Sequence, residues 1–243
     1  MQAVLDLTDQ LALLEHGDID LAGQFVWGSN YTFLVNVISG EQSTRAVYKP
    51  TRGERPLWDF PAASLAKREV AAYLLSCALG WDFVPPTVYR KQAPLGRGSL
   101  QLFIPHDPEY HFFNFTAQDK DRLRPVVLFD LLVNNADRKG SHLLIDSSGK
   151  LWAIDHGICF HTDDKLRTVI WDFIGTPIPG DLLSDVETVL PALQSGGETF
   201  TQLRPYLKEG EIDAISRRAS RLLKNPVFPA PQGKERPFPY PPI

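Results

Sequence analysis

The sequence predicts an α+β fold of two lobes, with a β-rich N-terminal lobe and a mainly helical C-terminal lobe. Segments rich in β-branched and aromatic residues dominate the first hundred positions, whereas helical spacing of apolar residues dominates beyond residue 106. At 243 residues the chain can bury one large core or two smaller ones. We therefore expect an N-lobe over residues 1–105, a C-lobe over 106–225 and a Pro-rich tail over 226–243, with a ligand cleft between the lobes.

The N-terminal lobe is expected to start with a helix and continue as a sheet. Apolar residues recur at helical spacing from Val4 to Leu14, and Gly17 ends that helix. A hairpin should follow, with strands over Gln24–Trp27 and Tyr31–Ile38. The other elements predicted for this lobe are a strand over 45–49 stopped by Pro50, a helix over 62–79 closed by Gly80, and strands over 84–89 and 99–104.

The C-terminal lobe is expected to hold a tight hairpin among helices. An apolar helix over 120–133 leads into a polar cluster, and strands over 143–145 and 151–154 flank the turn Asp146–Gly149. Three further helices are predicted over 180–193, 198–207 and 209–223. The tail lacks periodicity, and we expect it to be extended, either disordered or laid against the surface.

The predicted hairpin carries the strongest chemical signal. Asp137 precedes its first strand and Asp155 follows its second, so the turn should bring two carboxylates to one edge. Facing carboxylates repel unless they share a proton or a cation, and a divalent metal with phosphate ligands would satisfy both. Either Asp taken alone would be ordinary as a turn cap or a strand end. The arrangement as a whole favours a functional site.

Two N-terminal features add to this signal. Lys49 ends a predicted strand, and Glu69 lies on the following helix, so the two side chains can pair and direct an ammonium toward nucleotide phosphates. The turn containing Gly28 and Ser29 could present backbone N–H groups to phosphates, although hairpin turns of this composition are common.

Five segments together resemble the phosphatidylinositol 3-/4-kinase-related superfamily, which also includes the HipA-type and Fam20-type kinases. They are Ala46–Pro50, Arg68–Tyr73, Leu79–Val88, Asn134–Arg138 and Ile154–Gly157. The resemblance implies a protein-kinase-like fold. It covers residues 25–160 with some specificity and the remainder loosely.

The resemblance also implies roles for the matched residues. Lys49 would contact the α- and β-phosphates of ATP, and Glu69 would orient it. Asp137 would be the catalytic base or the residue that positions the nucleophile, and we ourselves expect the neighbouring Arg138 to help stabilise charge on the transferring phosphoryl group. Asp155 would hold the metal ion.

The resemblance further places an adenine-binding hinge over Leu100–Ile104, with backbone contacts at Leu102 and Phe103. One position departs from the family pattern. The superfamily commonly has Asn, or Glu in the Fam20 type, as a second metal ligand five residues after the catalytic Asp, and this chain has His142. Imidazole is a poor partner for Mg²⁺ and suits Mn²⁺ somewhat better.

These observations predict an ATP-dependent phosphotransferase that uses Mg²⁺ or Mn²⁺. The expected acceptor is a protein or a small molecule rather than a phosphoinositide, because no basic patch suited to a lipid headgroup is evident in the sequence. Two alternatives stay open. A pseudokinase could bind nucleotide or protein partners without catalysis, and the same fold could transfer AMP instead of phosphate.

Composition excludes several other classes. A net charge of −4 and a pI near 5.9 argue against nucleic acid as a partner. No apolar run approaches the length of a membrane span, and the N-terminus lacks a basic segment typical of signal peptides, so we expect a cytoplasmic protein without stable membrane insertion. The two cysteines lack metal-binding spacing.

Overall fold

An antiparallel sheet dominates the N-terminal part of the protein. The computed structural model describes residues 6–25, 31–231 and 236–243. The strands of the sheet are β1 (Asp18–Phe25), β2 (Thr32–Ser39), β3 (Gln42–Pro50), β4 (Thr87–Arg90) and β5 (Gly98–Leu102). They lie in the order β1-β2-β3-β5-β4, and every neighbouring pair is antiparallel.

Helices and a two-stranded hairpin make up most of the remaining regular structure. The hairpin consists of β6 (Leu143–Ile145) and β7 (Leu151–Ala153). The helices are α1 (Leu7–His16), α2 (Leu65–Ala78), α3 (Ala117–Asp121), α4 (Arg124–Val133), α5 (Gly180–Val189), α6 (Glu198–Leu203) and α7 (Glu209–Lys224).

Two separate apolar clusters hold these elements together. The smaller one joins α1 to one face of the sheet through Leu13, Leu14, Val35, Val37, Ala46, Tyr48, Val88 and Leu100. The larger one collects α2, α4, the hairpin and the later helices. The expected α+β plan, a β-rich part followed by a mainly helical part, is confirmed, while the lobe boundaries at residues 105 and 225 stay proposals. The apolar face of helix α2 belongs to the larger cluster.

Helix α2 begins three residues later than its sequence pattern suggests. Ala63 adopts a left-handed conformation with φ of 60°, which interrupts the helix before Leu65. The carboxylate of Glu54 then accepts hydrogen bonds from the N–H groups of Leu65 and Ala66, at 3.1 and 2.9 Å. A distant acid therefore satisfies the first orphan donors of the helix.

Strand β1 begins six residues before the position expected from sequence. It pairs with β2 from Asp18 to Phe25, and nearly all of its side chains are exposed. Ile19 contacts the smaller apolar cluster, but a bulge between Leu21 and Gly23 interrupts the alternation of apolar and polar residues along the strand, which explains why the predicted strand was too short. The described residues contain no helix long and apolar enough to cross a bilayer.

The described part of the Pro-rich tail lies against the helical region. Phe228 is buried in the larger cluster and packs against Phe173 with ring centroids 5.7 Å apart. Backbone hydrogen bonds continue the attachment, among them Gly175 N–H to Phe228 carbonyl at 2.9 Å. Of the two expected arrangements of the tail, attachment to the surface is the one found.

Candidate active site

The β6–β7 hairpin brings the segments around Asp137 and Asp155 together. Leu143 pairs with Ala153, and the Ile154 N–H donates to the His142 carbonyl at 3.0 Å. The turn is fixed locally, because the Asp146 carboxylate accepts from the backbone N–H groups of its own turn. The residues just before β6 and just after β7 therefore face one another, as the sequence pattern indicated.

Lys49 connects the sheet to this hairpin. Its ammonium lies 2.5 Å from Glu69 Oε1 and 2.9 Å from Asp155 Oδ1. Burial would lower the pKa of Lys49, but the negative charges of Asp155 and Glu69 outweigh it and raise the pKa above the ordinary value. A permanently charged ammonium thus lies between a carboxylate of α2 and a carboxylate after β7.

Glu69 also fixes the backbone that follows Asp155. Its second oxygen, Oε2, accepts the His156 N–H at 2.9 Å. Asp155 itself has a left-handed backbone with φ of 59°, a conformation that Asp tolerates better than most residues. One buried glutamate therefore orients both the Lys49 side chain and the chain direction at Asp155.

His142 faces the other oxygen of Asp155. Its Nε2 lies 3.2 Å from Asp155 Oδ2, and its Nδ1 accepts the Lys139 N–H at 3.4 Å. Burial lowers the pKa of His142 to about 3, so the ring is neutral at physiological pH. Because Nδ1 accepts the Lys139 N–H, the single ring proton lies on Nε2, which faces Asp155 Oδ2.

Asp137 lies nearby in a different environment. Its backbone N–H donates to Asn135 Oδ1 at 3.0 Å, and its carboxylate lies 3.5 Å from Lys139 Nζ. Burial, with the charge of Asp155, raises the pKa of Asp137 to about 6 against the opposing charge of Lys139. The carboxylate therefore exchanges a proton close to neutral pH, which suits a general base.

Arg138 occupies a position different from the expected one. Its side chain is fully buried, and its guanidinium makes two 2.9 Å hydrogen bonds to the Asp130 carboxylate. Its remaining donors reach the Ile154 carbonyl at 2.7 Å and His156 Nε2 at 2.7 Å. The expected contact with a phosphoryl group is therefore not supported, because the guanidinium is engaged inside the protein. Arg138 instead ties the Asp137 segment to the backbone before Asp155.

The sequence-based reasoning missed Asp130 and Asn135 as parts of this site. Asp130 is a buried acid on the apolar helix α4, and Asn135 Nδ2 donates to its Oδ1 at 2.9 Å. An isolated carboxylate within a strongly apolar helix is costly unless a cation or donors pair with it. That mismatch was the available signal for a buried partner such as Arg138.

The proposed hinge residues are placed in the sheet, and their amides are already bonded. The Leu102 N–H donates to the Pro86 carbonyl at 2.8 Å, and the Phe103 N–H donates to the Arg45 carbonyl at 3.0 Å. Neither N–H is free to meet a nucleotide base, which corrects the expectation for these two donors. Gly28 and Ser29, proposed as phosphate contacts, lie outside the described residues.

The donor set around Asp155 fits a metal ion that arrives with a nucleotide. Among the described residues, no group of three or more His, Cys, Asp or Glu side chains is arranged to hold a metal ion. Mg²⁺ in nucleotide sites is held by one or two carboxylates, with phosphates and water completing the shell. Asp155 alone meets that minimum, and His142 would become a ligand only by giving up the proton on Nε2.

A strand lysine paired with a helical glutamate, together with two aspartates at the ends of a hairpin, is the arrangement expected of an atypical kinase. The sequence model of the family described as phosphatidylinositol 3- and 4-kinase matches residues 62–196. Protein Rv2133c of Mycobacterium tuberculosis is 39% identical in an alignment that covers 96% of this chain and 95% of that protein. The chain belongs to the phosphatidylinositol 3- and 4-kinase family.

A plant relative and several solved structures are also similar. Phosphatidylinositol 4-kinase gamma 3 of Arabidopsis thaliana is 26% identical over 52% of this chain and 28% of its own length. Hydra Fam20, solved with sugar, has a TM-score of 0.60 at 15% identity and covers 92% of this chain and 89% of that one. The Golgi casein kinase with Mn and ADP bound has a TM-score of 0.59 at 15% identity, covering 89% and 74%. The Helicobacter pylori proinflammatory kinase CtkA has a TM-score of 0.53 at 11% identity, covering 88% and 94%.

Proposed function

We propose that this protein binds ATP with Mg²⁺ or Mn²⁺ and transfers a phosphoryl group to an acceptor hydroxyl. The observation that carries the proposal is the Lys49 ammonium, held 2.5 Å from Glu69 and 2.9 Å from Asp155. Asp155, the second carboxylate at this ammonium, is partly exposed, so phosphates and a cation can reach it and Lys49 from solvent.

In this proposal Lys49 binds the phosphates next to the transferred group, and Glu69 holds it in place. Asp155 holds the cation, which supplies positive charge to the phosphate oxygens when it is bound. His142 donates its Nε2 proton to Asp155 Oδ2 and so orients that carboxylate. The Golgi casein kinase, which shares this fold, was solved with Mn and ADP, and that supports a nucleotide and a metal here.

Asp137 acts on the acceptor. The acceptor oxygen forms a bond to the γ-phosphorus while the bond from that phosphorus to ADP breaks, and the acceptor proton passes to the Asp137 carboxylate. With a pKa of about 6, Asp137 is mostly ionised at neutral pH and can accept that proton. Arg138 keeps the Asp137 segment in register with the Asp155 segment through its buried contacts. We propose a protein or a small molecule as the acceptor.

Thermal unfolding with nucleotide and metal tests the binding step. We expect ATP with Mg²⁺ or Mn²⁺ to raise the Tm of the unmodified protein, and Lys49→Met to abolish most of that rise. Lys91→Met is the matched control, because Lys91 is exposed on the surface after β4. If no combination of nucleotide and metal raises the Tm, the proposal is wrong.

The mass of the modified acceptor, or of self-modified protein, tests the transfer step. A phosphoryl addition supports the proposal, and an adenylyl addition would assign AMP transfer to the same site. Stabilisation by nucleotide without any transfer would identify a pseudokinase.

A further inference from the structure

The C-terminal residues 236–243 make backbone hydrogen bonds to two segments of the helical region. The Pro237 carbonyl accepts the Thr168 N–H at 3.0 Å, and the Pro242 carbonyl accepts the Gly140 N–H at 2.8 Å. Pro239, between these two contacts, is buried, whereas Phe238 and Tyr240 on either side are exposed. The tail is therefore held to the helical region at Pro237, Pro239 and Pro242.

Both donor segments belong to the surroundings of Asp137. Gly140 follows Asp137 by three residues, on the same stretch that ends at His142. Thr168 lies beside Arg138, since the Arg138 N–H donates to the Arg167 carbonyl at 3.0 Å and the Val169 N–H donates to the Arg138 carbonyl at 3.1 Å. The tail thus lies against the backbone that positions the proposed base.

The chemistry of the contact is that of polypeptide recognition. Four of the eight residues from 236 to 243 are proline, so this segment presents carbonyls but few N–H groups, and proline favours an extended chain. The surface supplies the complementary N–H donors at Gly140 and Thr168. Main-chain donors that pair with main-chain carbonyls recognise an extended peptide with little regard to its side chains.

The surface at Gly140 leaves room only for backbone. A β-carbon built on Gly140 would come within 2.7 Å of the Phe113 ring, so a side chain here would displace that ring. Phe113 remains 47% exposed. An exposed aromatic ring therefore lies beside a backbone donor that the Pro242 carbonyl occupies, and both features suit the binding of an extended peptide.

We propose that residues 236–243 occupy, within the same molecule, the surface on which a polypeptide acceptor binds, and that they thereby restrain transfer. The proposal rests on the phosphotransferase function proposed above and names its acceptor class as an extended polypeptide. Displacement of the tail frees the Gly140 and Thr168 N–H groups for the acceptor backbone. The tail and the acceptor then compete for one surface.

Two aspartate substitutions in the full-length chain test this competition. Pro239→Asp places a charge at a buried tail position and should release the tail, whereas Phe238→Asp adds the same charge at the neighbouring exposed position. We expect amide hydrogen exchange at Gly140 and Thr168 to rise about tenfold in Pro239→Asp and to stay unchanged in Phe238→Asp. We also expect transfer from labelled ATP to dephosphorylated casein, an unstructured polypeptide, to rise about fivefold in Pro239→Asp alone.

A synthetic peptide of residues 236–243 supplies the converse measurement. Added to the Pro239→Asp variant, it should restore slow exchange at Gly140 and inhibit transfer in competition with casein but not with ATP. If Pro239→Asp does not fold, deletion of residues 241–243 replaces it, because that deletion removes the Gly140 contact and leaves the Thr168 contact in place.

Two failures are distinguishable. Faster exchange at Gly140 without faster transfer, in a protein that ATP and metal still stabilise, would overturn the acceptor-surface proposal and leave the tail as a structural strap. The absence of both nucleotide stabilisation and transfer in every variant, the unmodified chain included, would overturn the phosphotransferase function itself.

Discussion

Asp137 and Asp155 lie at the two ends of the β6–β7 hairpin, and their pKa values are shifted in opposite directions. Asp155 is partly exposed and lies against Lys49 and His142, and although desolvation acts in the opposite direction, the Lys49 ammonium holds its pKa below the ordinary range. Asp137 has the Lys139 ammonium 3.5 Å away, but burial outweighs that charge and raises the pKa of Asp137 to about 6. Two aspartates that one turn brings together therefore differ in their protonation behaviour.

This difference in pKa separates the roles that we propose for Asp137 and Asp155. A carboxylate that stays ionised under all conditions suits a metal and its phosphates, whereas one that titrates near neutral pH suits proton transfer. We therefore propose the metal role for Asp155 and the base role for Asp137 on electrostatic grounds, independently of their order in the chain. Substitutions at the two ends should separate binding from chemistry.

The largest expected effect is that of Asp155→Ala. This change removes the proposed metal ligand and one partner of Lys49, so we expect transfer to fall below detection and the Tm rise with ATP and metal to disappear. Differential scanning fluorimetry and a labelled-ATP assay measure the two effects. Asp163→Ala, at a largely exposed acid of the following segment, is the control and should change neither.

Asp137→Asn should have a smaller effect of a different kind. The amide cannot accept the acceptor proton, so we expect transfer to fall by about 10²- to 10⁴-fold, while the Tm rise with ATP and metal persists. Loss of the nucleotide effect in Asp137→Asn, or undiminished transfer, would contradict the division of roles between the two aspartates.

Arg138→Met tests the buried link between the two hairpin ends. The substitution leaves the Asp130 carboxylate buried without its bidentate partner, so we expect the free energy of unfolding to fall by about 3–5 kcal/mol. Denaturant unfolding measures the change. The double variant Arg138→Met with Asp130→Leu removes the uncompensated charge and should recover most of the loss; no recovery would mean that the other contacts of Arg138 dominate.

The smallest effect per step of the measurement is the change of stability with each unit of pH. His142 has a folded pKa of about 3, below its ordinary value of 6.5, so the unfolded chain binds a proton that the folded protein does not. Stability from this group is complete above pH 6.5 and falls toward pH 3 by about 1.4 kcal/mol per unit. We expect His142→Asn to remove that slope in urea unfolding series.

Asp137 contributes a slope of the opposite sign. Its folded pKa of about 6 lies above the ordinary 3.8, so its contribution favours the folded protein at low pH and is lost as pH rises through 6. Between pH 4 and 6 the two slopes oppose each other. His142→Asn should therefore make stability fall with rising pH in this window, and Asp137→Asn should make it fall with decreasing pH; identical curves would contradict both assignments.

Much of the fold followed from local patterns. The hairpin turn at Asp146–Gly149, the helical stripe of α2 and the order of Lys49 and Glu69 depend on short-range turn chemistry and periodicity, which one sequence displays directly. The start of β1 did not follow, because a bulge between Leu21 and Gly23 interrupts the alternation of this mostly exposed edge strand. The start of α2 did not follow either, because a distant Glu54 caps it.

The candidate site was predictable in part. The order of Lys49, Glu69 and Asp155 along the chain predicts that they belong to one site. The structure places the Lys49 ammonium within hydrogen-bond distance of both carboxylates. Arg138 was assigned by proximity to Asp137, but side-chain direction depends on the partner available in the core, which is Asp130 on α4. Leu102 and Phe103 were expected to contact adenine through their backbones, but their N–H groups donate to the carbonyls of Pro86 and Arg45.

By itself, the sequence determined the kinase-like plan, the hairpin that joins two aspartates and the strand lysine opposite a helix glutamate. These depend on residue type and spacing over short stretches. Only the tertiary structure decided that Arg138 points inward, that Asp137 and Asp155 have opposite pKa shifts, and that the C-terminal tail lies beside Gly140. Each of these depends on burial and on contacts between residues distant in the chain, where desolvation and a neighbouring charge compete, and spacing alone carries no information about that balance.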